Sequence, residues 1–240
     1  MKKYRVLPFT FFVLIMFVIL AFWKSYFGII NNLPETATLK IHAHTSIMLL
    51  WLLMLLIQAS LIKTKRFKLH RWIGRTSFII APLLIWMGLV LIHEVFNRMP
   101  GDVPIETARL NVYSFGQLIA FIVTWGLAIW YHKRTELHMR FMISTAFAAG
   151  TAIVFRIFFF WIPNFNTVGA ALTGSWILMT ILLLVLIFFD WKNGIKKSAY
   201  WVVTILISLM HISYWRFTDN QFYLSFCDRY RNLPSWIFFE

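Results

Sequence analysis

The sequence predicts an all-α integral membrane protein, a seven-transmembrane-helix bundle with a cytoplasmic N-terminus and an extracytoplasmic C-terminus. Three observations predict this fold: a strongly apolar composition, seven apolar stretches of spanning length, and basic residues concentrated between alternate stretches. Of the 240 residues, 60% are hydrophobic and only 13% are charged, whereas about a quarter of the residues of a soluble domain are charged. The composition therefore excludes a soluble enzyme, a disordered tail and a DNA-binding domain.

Seven stretches are long enough for membrane helices, since about 20 apolar residues cross the hydrocarbon core. In chain order, the predicted spans are residues 6–23, 41–62, 73–92, 112–131, 141–162, 168–189 and 199–215. The first follows basic residues, as in a signal peptide, but it lacks a small-x-small cleavage site and is interpreted as a retained span. The connecting segments are too short for a soluble catalytic domain, so residues 1–240 are expected to form one membrane domain.

The uneven distribution of basic residues predicts the orientation of the bundle. With the N-terminus inside, the inner segments carry 15 of the 23 basic residues and two of the nine acidic residues. Cytoplasmic loops of membrane proteins show such an excess of lysine and arginine. The net charge of +14 is therefore interpreted as a topological signal. We expect the lipid bilayer as a partner, and no nucleic acid.

Polar side chains toward the outer side of the spans are the first candidates for function, because ionisable groups in hydrocarbon are costly. We expect six of them to share an outward-facing cavity: His44, His93, Glu94, Gln117, Arg156 and His211. Arg156 lies among phenylalanines and is expected to pair with Glu94 or with a bound anionic group. The alternative is that its long side chain simply reaches the outer interface.

Two histidines at the inner side form a second candidate site. His70 precedes the third span and His138 precedes the fifth, each beside an arginine. Two histidines at one depth can hold a metal or a haem iron. Three basic side chains would then contact haem propionates: Arg71, Arg75 and Arg140. The alternative is that these histidines orient the helix starts while the arginines contact anionic lipid.

Two short motifs resemble those of an uncharacterised family of bacterial multi-pass membrane proteins. Residues 69–75 (LHRWIGR) are similar to its LHRWLGR-type motif, and residues 138–143 (HMRFMI) are similar to its HRRWMIR-type motif. His44 and Arg156 match a histidine and an arginine that the family carries on two of its helices. The resemblance covers residues 42–157 and implies a multi-pass protein of the bacterial cytoplasmic (inner) membrane. It implies no activity that can be carried over.

A looser resemblance is to the two-haem transmembrane cytochromes b, which pair histidines from neighbouring helices on each side of the membrane. His70 and His138 suit one such pair. The fourth span has no histidine, so a second haem would have to use His44 with His93 or His211. The sequence therefore supports at most one haem b pair of this pattern.

Three functions are compatible with these residues. The first is a binding or assembly protein with a polar outer cavity and possible membrane-protein partners. The second is a haem- or metal-binding redox protein, which as an enzyme would be a membrane oxidoreductase. The third is a small-solute transporter, which has the least support because no inverted repeat or interrupted span is visible. The lone cysteine, Cys227, and the absence of P-loop, HExxH, GxSxG and Rossmann patterns leave the chain without a catalytic motif.

Overall fold

The computed structural model describes residues 6–32, 39–98, 104–195, 198–216 and 220–238. Within these ranges the chain is helical, without a β-strand. The α-helices are α1 (Leu7–Trp23), α2 (Leu39–Lys63), α3 (Phe67–Gly74), α4 (Ser77–Asn97), α5 (Ile105–Trp130), α6 (Thr135–Trp161), α7 (Val168–Lys192), α8 (Tyr200–Arg216) and α9 (Gln221–Arg231). Short 3-10 helices lie at Phe27–Asn32, Pro163–Phe165 and Ser235–Phe238.

Five helical stretches are long and apolar enough to cross a membrane, namely α2, α3 with α4, α5, α6 and α7, with mean hydropathies from 1.7 to 2.5. These stretches correspond to the second to sixth predicted spans and are compatible with a multi-pass helical membrane protein. The helix α1 is apolar but shorter, at 17 residues, and α8 also has 17 residues. That α1 and α8 cross the membrane as the first and seventh spans stays a prediction.

Several helices extend beyond the predicted apolar stretches. The clearest case is α5, which begins at Ile105 rather than at residue 112. Pro104 at its N-cap is compatible with a helix start, and Arg109 forms an ion pair with Glu106 at 3.1 Å within the first turns. Hydropathy marks the residues suited to hydrocarbon, whereas a helix continues for as long as its backbone hydrogen bonds are made.

The segment between the second and third predicted spans is a helix rather than a loop. The helix α3 contains His70 and Arg71, which lie between the predicted spans 41–62 and 73–92. It is separated from α2 by a short turn in which Lys65 has a positive φ of 60°. Apolar and basic side chains alternate at helical spacing in Phe67–Gly74, so this segment is amphipathic, unlike the apolar spans on either side.

The bundle is organised around α5 and α6, which pack on each other along their lengths. The helices α4 and α8 also pack against α5, while α1 and α7 pack against α6. We call the rim the end of the bundle at which α1, α4 and α6 finish and α2 and α5 begin. At the rim, Lys24 Nζ donates to the Phe160 carbonyl at 2.7 Å, and Trp161 Nε1 donates to the Leu20 carbonyl at 3.2 Å. These contacts hold the end of α1 against the end of α6.

The C-terminal segment is packed against the bundle, although it follows the last predicted span, which ends at residue 215. Tyr223 donates a hydrogen bond from its hydroxyl to the Ala108 carbonyl at 3.0 Å, and Tyr230 does so to the Leu89 carbonyl at 2.8 Å. Cys227, between them, is fully buried. The helix α9 therefore covers part of α4 and α5.

Candidate functional site

A cavity of about 470 Å³ lies between α1, α2, α4, α5 and α6 near the rim. Its volume is within the range of small-molecule sites, roughly 300–1,000 Å³. Four of the six residues predicted to share a cavity line it: His44, Glu94, Gln117 and Arg156. A larger depression of about 590 Å³ lies beside α7, but its lining is almost entirely apolar. Of these two cavities, the first combines apolar walls with several converging polar groups.

Arg156 carries the most unusual environment in this cavity. Its Nη1 donates a long hydrogen bond to the Ala152 carbonyl at 3.4 Å, one turn back on α6. The guanidinium lies over the ring of Phe22, with Cζ 4.3 Å from the ring centroid. In the ranges that the structure describes, no carboxylate oxygen lies within 4.0 Å of it. The positive charge therefore faces the cavity and an aromatic ring without a carboxylate partner.

Glu94, which the sequence suggested as a partner of Arg156, is held by other cations. Its Oε2 lies 3.0 Å from Lys40 Nζ, and its Oε1 lies 3.2 Å from Arg98 Nη2. Sequence reasoning overlooked Lys40 and Arg98 as contributors, although the spacing of Glu94 and Arg98 by four positions is typical of a helical ion pair. Glu94 therefore has two cationic partners other than Arg156.

Neutral polar groups complete the lining. His44 Nδ1 is buried and makes no hydrogen bond within the described part of the chain. Gln117 Nε2 donates to Thr151 Oγ1 at 2.6 Å, which links α5 to α6 behind the cavity. Asn111 and Ser114 line the same side of α5. An imidazole, an amide and a hydroxyl can all bind the polar atoms of a ligand.

His93 does not line the cavity, contrary to the prediction. Its Nε2 lies 3.0 Å from the Arg231 carbonyl and its Nδ1 lies 3.1 Å from Asn97 Nδ2. The imidazole stacks on Phe238 with a centroid separation of 3.9 Å. Consecutive residues of a helix point about 100° apart, so Glu94 faces the cavity while His93 faces the C-terminal segment.

His211 is also outside the cavity, because α8 packs on the other side of α5. Its ring stacks on Trp176 at a centroid separation of 4.7 Å and lies beside Tyr113, with 3.4 Å between Nδ1 and the hydroxyl. Depth in the membrane placed His211 with His44, but the two residues lie on different faces of the bundle. His211 belongs to the packing between α5, α7 and α8.

The inner histidines lie on α3 and at the start of α6. His138 Nδ1 hydrogen-bonds to the Ala128 carbonyl at 2.8 Å, and His70 Nδ1 is buried without a hydrogen bond to any described residue. No group of three or more His, Cys, Asp or Glu side chains that could hold a metal ion occurs in the described ranges. A metal centre built from this pair and neighbouring carboxylates or thiols therefore has no support.

Arg140, predicted to contact a haem propionate, forms an ion pair with Asp190. Its Nε and Nη2 each lie 2.7 Å from a carboxylate oxygen of Asp190, and its side chain is buried. Ser198 Oγ donates to the same carboxylate at 2.8 Å. Arg71 and Arg75 are exposed at the end opposite the rim. Arg140 thus has a bidentate carboxylate partner, while propionate contacts by Arg71 and Arg75 stay a prediction.

No protein-family model, curated protein sequence or solved structure matches the chain. The two family resemblances stay predictions.

Proposed function

We propose that the protein is a ligand-binding membrane protein whose cavity near the rim takes a small anionic ligand. In this proposal the chain spans the membrane seven times, with α1 and α8 as the first and last spans. The distribution of basic residues supports a cytoplasmic N-terminus, an extracytoplasmic C-terminus and a cavity toward the outer side. The motif resemblance supports the bacterial inner membrane as its location.

The observation that carries the proposal is the guanidinium of Arg156, which has no carboxylate partner among the described residues. Burying a charge is costly unless it is paired and hydrogen-bonded. Glu94 is engaged with Lys40 and Arg98, so an anionic ligand would supply the missing partner. Arginine suits this role because its planar group donates two parallel hydrogen bonds to a carboxylate or a phosphate.

The position of Arg156 argues against a side chain that only reaches the interface. The residue lies roughly 8 Å below the rim end of α6, at 1.5 Å per residue. Its guanidinium lies over Phe22, a residue of α1, instead of extending past Trp161. The side chain is thus directed into the cavity between α1 and α6.

The test is the stabilisation of the purified protein by a small anion. We expect sodium acetate, at constant sodium concentration with chloride as the balancing anion, to raise the thermal unfolding midpoint of the wild type. Acetate at ten times its Kd would stabilise the folded state by about 1.4 kcal/mol. Arg156→Met keeps an unbranched side chain without the charge and is expected to abolish this response.

The matched control is Arg75→Leu, which removes an exposed arginine at the opposite end of the bundle. It should respond to acetate as the wild type does. An equal acetate response in the wild type and in Arg156→Met would overturn the proposal.

A further inference from the structure

We infer that the ligand of this cavity is a single-chain amphiphile, with an anionic head group at Arg156 and a hydrocarbon chain on the apolar floor. The inference rests on the anion-binding function proposed above and adds the chemical class of the ligand. It depends on how polar and apolar side chains are ordered along the depth of the cavity.

Most polar side chains of the cavity lie close to the rim. His44, Asn111 and Arg156 each lie roughly 8 Å below the rim ends of their helices, at 1.5 Å per residue. Leu52 and Leu84, which also line the cavity, lie roughly 20 Å below the rim by the same measure. The cavity thus passes from a cationic layer to a hydrocarbon floor over roughly 12 Å.

Gln117 is a polar side chain among the deeper residues of the cavity, but its amide donor is already used in a hydrogen bond. Gln117 donates from its amide nitrogen to Thr151 at 2.6 Å, so its donor is directed into the wall between α5 and α6. Around it, the lining consists of aliphatic and aromatic side chains, among them Leu49, Leu118 and Phe121. A fully polar ligand would leave this surface without an apolar contact, whereas a hydrocarbon chain would cover it.

The polar layer near the rim and the apolar floor below it match the head and the chain of an amphiphile in one leaflet of a membrane. A lipid has its charged head at the interface and its chain directed toward the midplane, so it can occupy the cavity without turning over. The volume of about 470 Å³ is in the lower half of the range for small-molecule sites, which favours one chain over two. The guanidinium of Arg156, which lines the cavity at the level of the head group, favours an anionic head.

The experiment is a chain-length series measured by equilibrium dialysis on the full chain in phosphatidylcholine nanodiscs. The probes are acetate, butanoate, hexanoate and octanoate, with octanol and octyl phosphate as the uncharged and phosphate counterparts. Protein-free nanodiscs serve as the blank, and each Kd refers to the free aqueous concentration. We expect the affinity to rise about fourfold for each added methylene, from a transfer free energy of about 0.8 kcal/mol.

Two variants separate the head from the chain. Arg156→Met should weaken the binding of octanoate and octyl phosphate at least tenfold and leave octanol unchanged. Leu49→Trp, which fills the floor, should leave the affinity for acetate as in the wild type and remove the gain from acetate to octanoate. If Leu49→Trp does not fold, Ile153→Phe places a ring in the same lining for the same comparison.

The outcomes distinguish this inference from the proposed function. Binding of acetate that depends on Arg156, with the same affinity for octanoate, would overturn the amphiphile and leave an anion-binding protein. If Leu49→Trp and Ile153→Phe both keep the full rise in affinity from acetate to octanoate, the inference is also overturned, since the hydrocarbon chain of the ligand would then lie elsewhere. Binding that is equal for octanol and octanoate and unaffected by Arg156→Met would overturn both. Preference for octyl phosphate over octanoate, or the reverse, identifies the head group.

Discussion

Arg140 on α6 and Asp190 on α7 form a bidentate ion pair, with both nitrogen–oxygen distances at 2.7 Å. The pair is largely shielded from solvent, and Ser198, just before α8, donates a third hydrogen bond to the same carboxylate. Three consecutive helices therefore meet at one charge pair, at the end of the bundle opposite the cavity.

The first prediction concerns this pair. Asp190→Asn leaves the Arg140 charge buried without its carboxylate and should lower the free energy of unfolding by about 3 kcal/mol. Thermal unfolding in detergent measures the loss. The matched control is Glu136→Gln, because Glu136 contacts the same arginine at 3.5 Å from an exposed position and should contribute less than about 1 kcal/mol. Equal losses in the two variants would contradict the assignment.

The second prediction concerns the charge at the mouth of the cavity. Glu94→Gln removes the carboxylate that faces Lys40 and Arg98 and should strengthen the binding of acetate about fivefold, from an electrostatic change on the order of 1 kcal/mol. Equilibrium dialysis at two salt concentrations measures it, and the gain should shrink at the higher one. Glu106→Gln, which removes a carboxylate that is 75% exposed, is expected to leave the affinity unchanged. Weaker binding of acetate in Glu94→Gln would contradict this prediction, because it would show that Glu94 supports the binding of the anion.

The third prediction uses the buried thiol of α9. Burial raises the pKa of Cys227, with a smaller opposing effect from Tyr223, so less thiolate is present at neutral pH than for a free cysteine. N-ethylmaleimide should therefore modify the folded protein slowly and the detergent-denatured protein rapidly, as measured by mass spectrometry. The modification rate should rise with pH in both states.

The packing of α9 gives a fourth prediction from the same labelling measurement. Tyr230→Phe removes the hydrogen bond to the Leu89 carbonyl, which contributes about 1 kcal/mol. Opening of α9 should become about fivefold more frequent, and labelling of Cys227 should accelerate by that factor. Tyr131→Phe, at the other end of the bundle, should label at the wild-type rate. A wild-type rate in Tyr230→Phe would show that this bond does not hold α9 in place.

The fifth prediction tests the orientation. In a Cys227→Ala background, cysteines at the exposed positions Ser225 on α9 and Lys68 on α3 report opposite sides of the bundle. A membrane-impermeant maleimide applied to intact bacterial spheroplasts should label Ser225→Cys at once and Lys68→Cys only after lysis. The reverse pattern would invert the proposed topology.

Hydropathy predicted the five long apolar helical stretches because about 20 consecutive apolar residues mark a helix of spanning length. It could not identify α3 or α9, since both mix basic and apolar residues and neither is long enough to span. The packing of α9 is determined by its contacts with other helices. Tyr223 donates a hydrogen bond to a carbonyl of α5 and Tyr230 donates one to a carbonyl of α4. A single sequence does not specify such pairings.

The residues of the candidate site were predicted from their depth in the membrane. Depth does not specify the direction in which a side chain points around its helix. His44 and Arg156 share a depth and a cavity, whereas His211 shares the depth but faces Trp176. Which side chains share a cavity depends on which helices are neighbours and on which face each helix presents to them. Arg140 illustrates the same gap, because its partner Asp190 lies on a different helix.

The contact between His93 and Phe238 has a consequence for biosynthesis. Well over a hundred residues separate the two in the chain, so α4 is made and inserted long before the ring that stacks on it exists. During that interval the face of α4 that carries His93 lacks its final cover. Completion of this face thus coincides with the late stages of translation, and a nascent chain that stalls before α9 would display an unfinished surface to the quality-control machinery of the membrane.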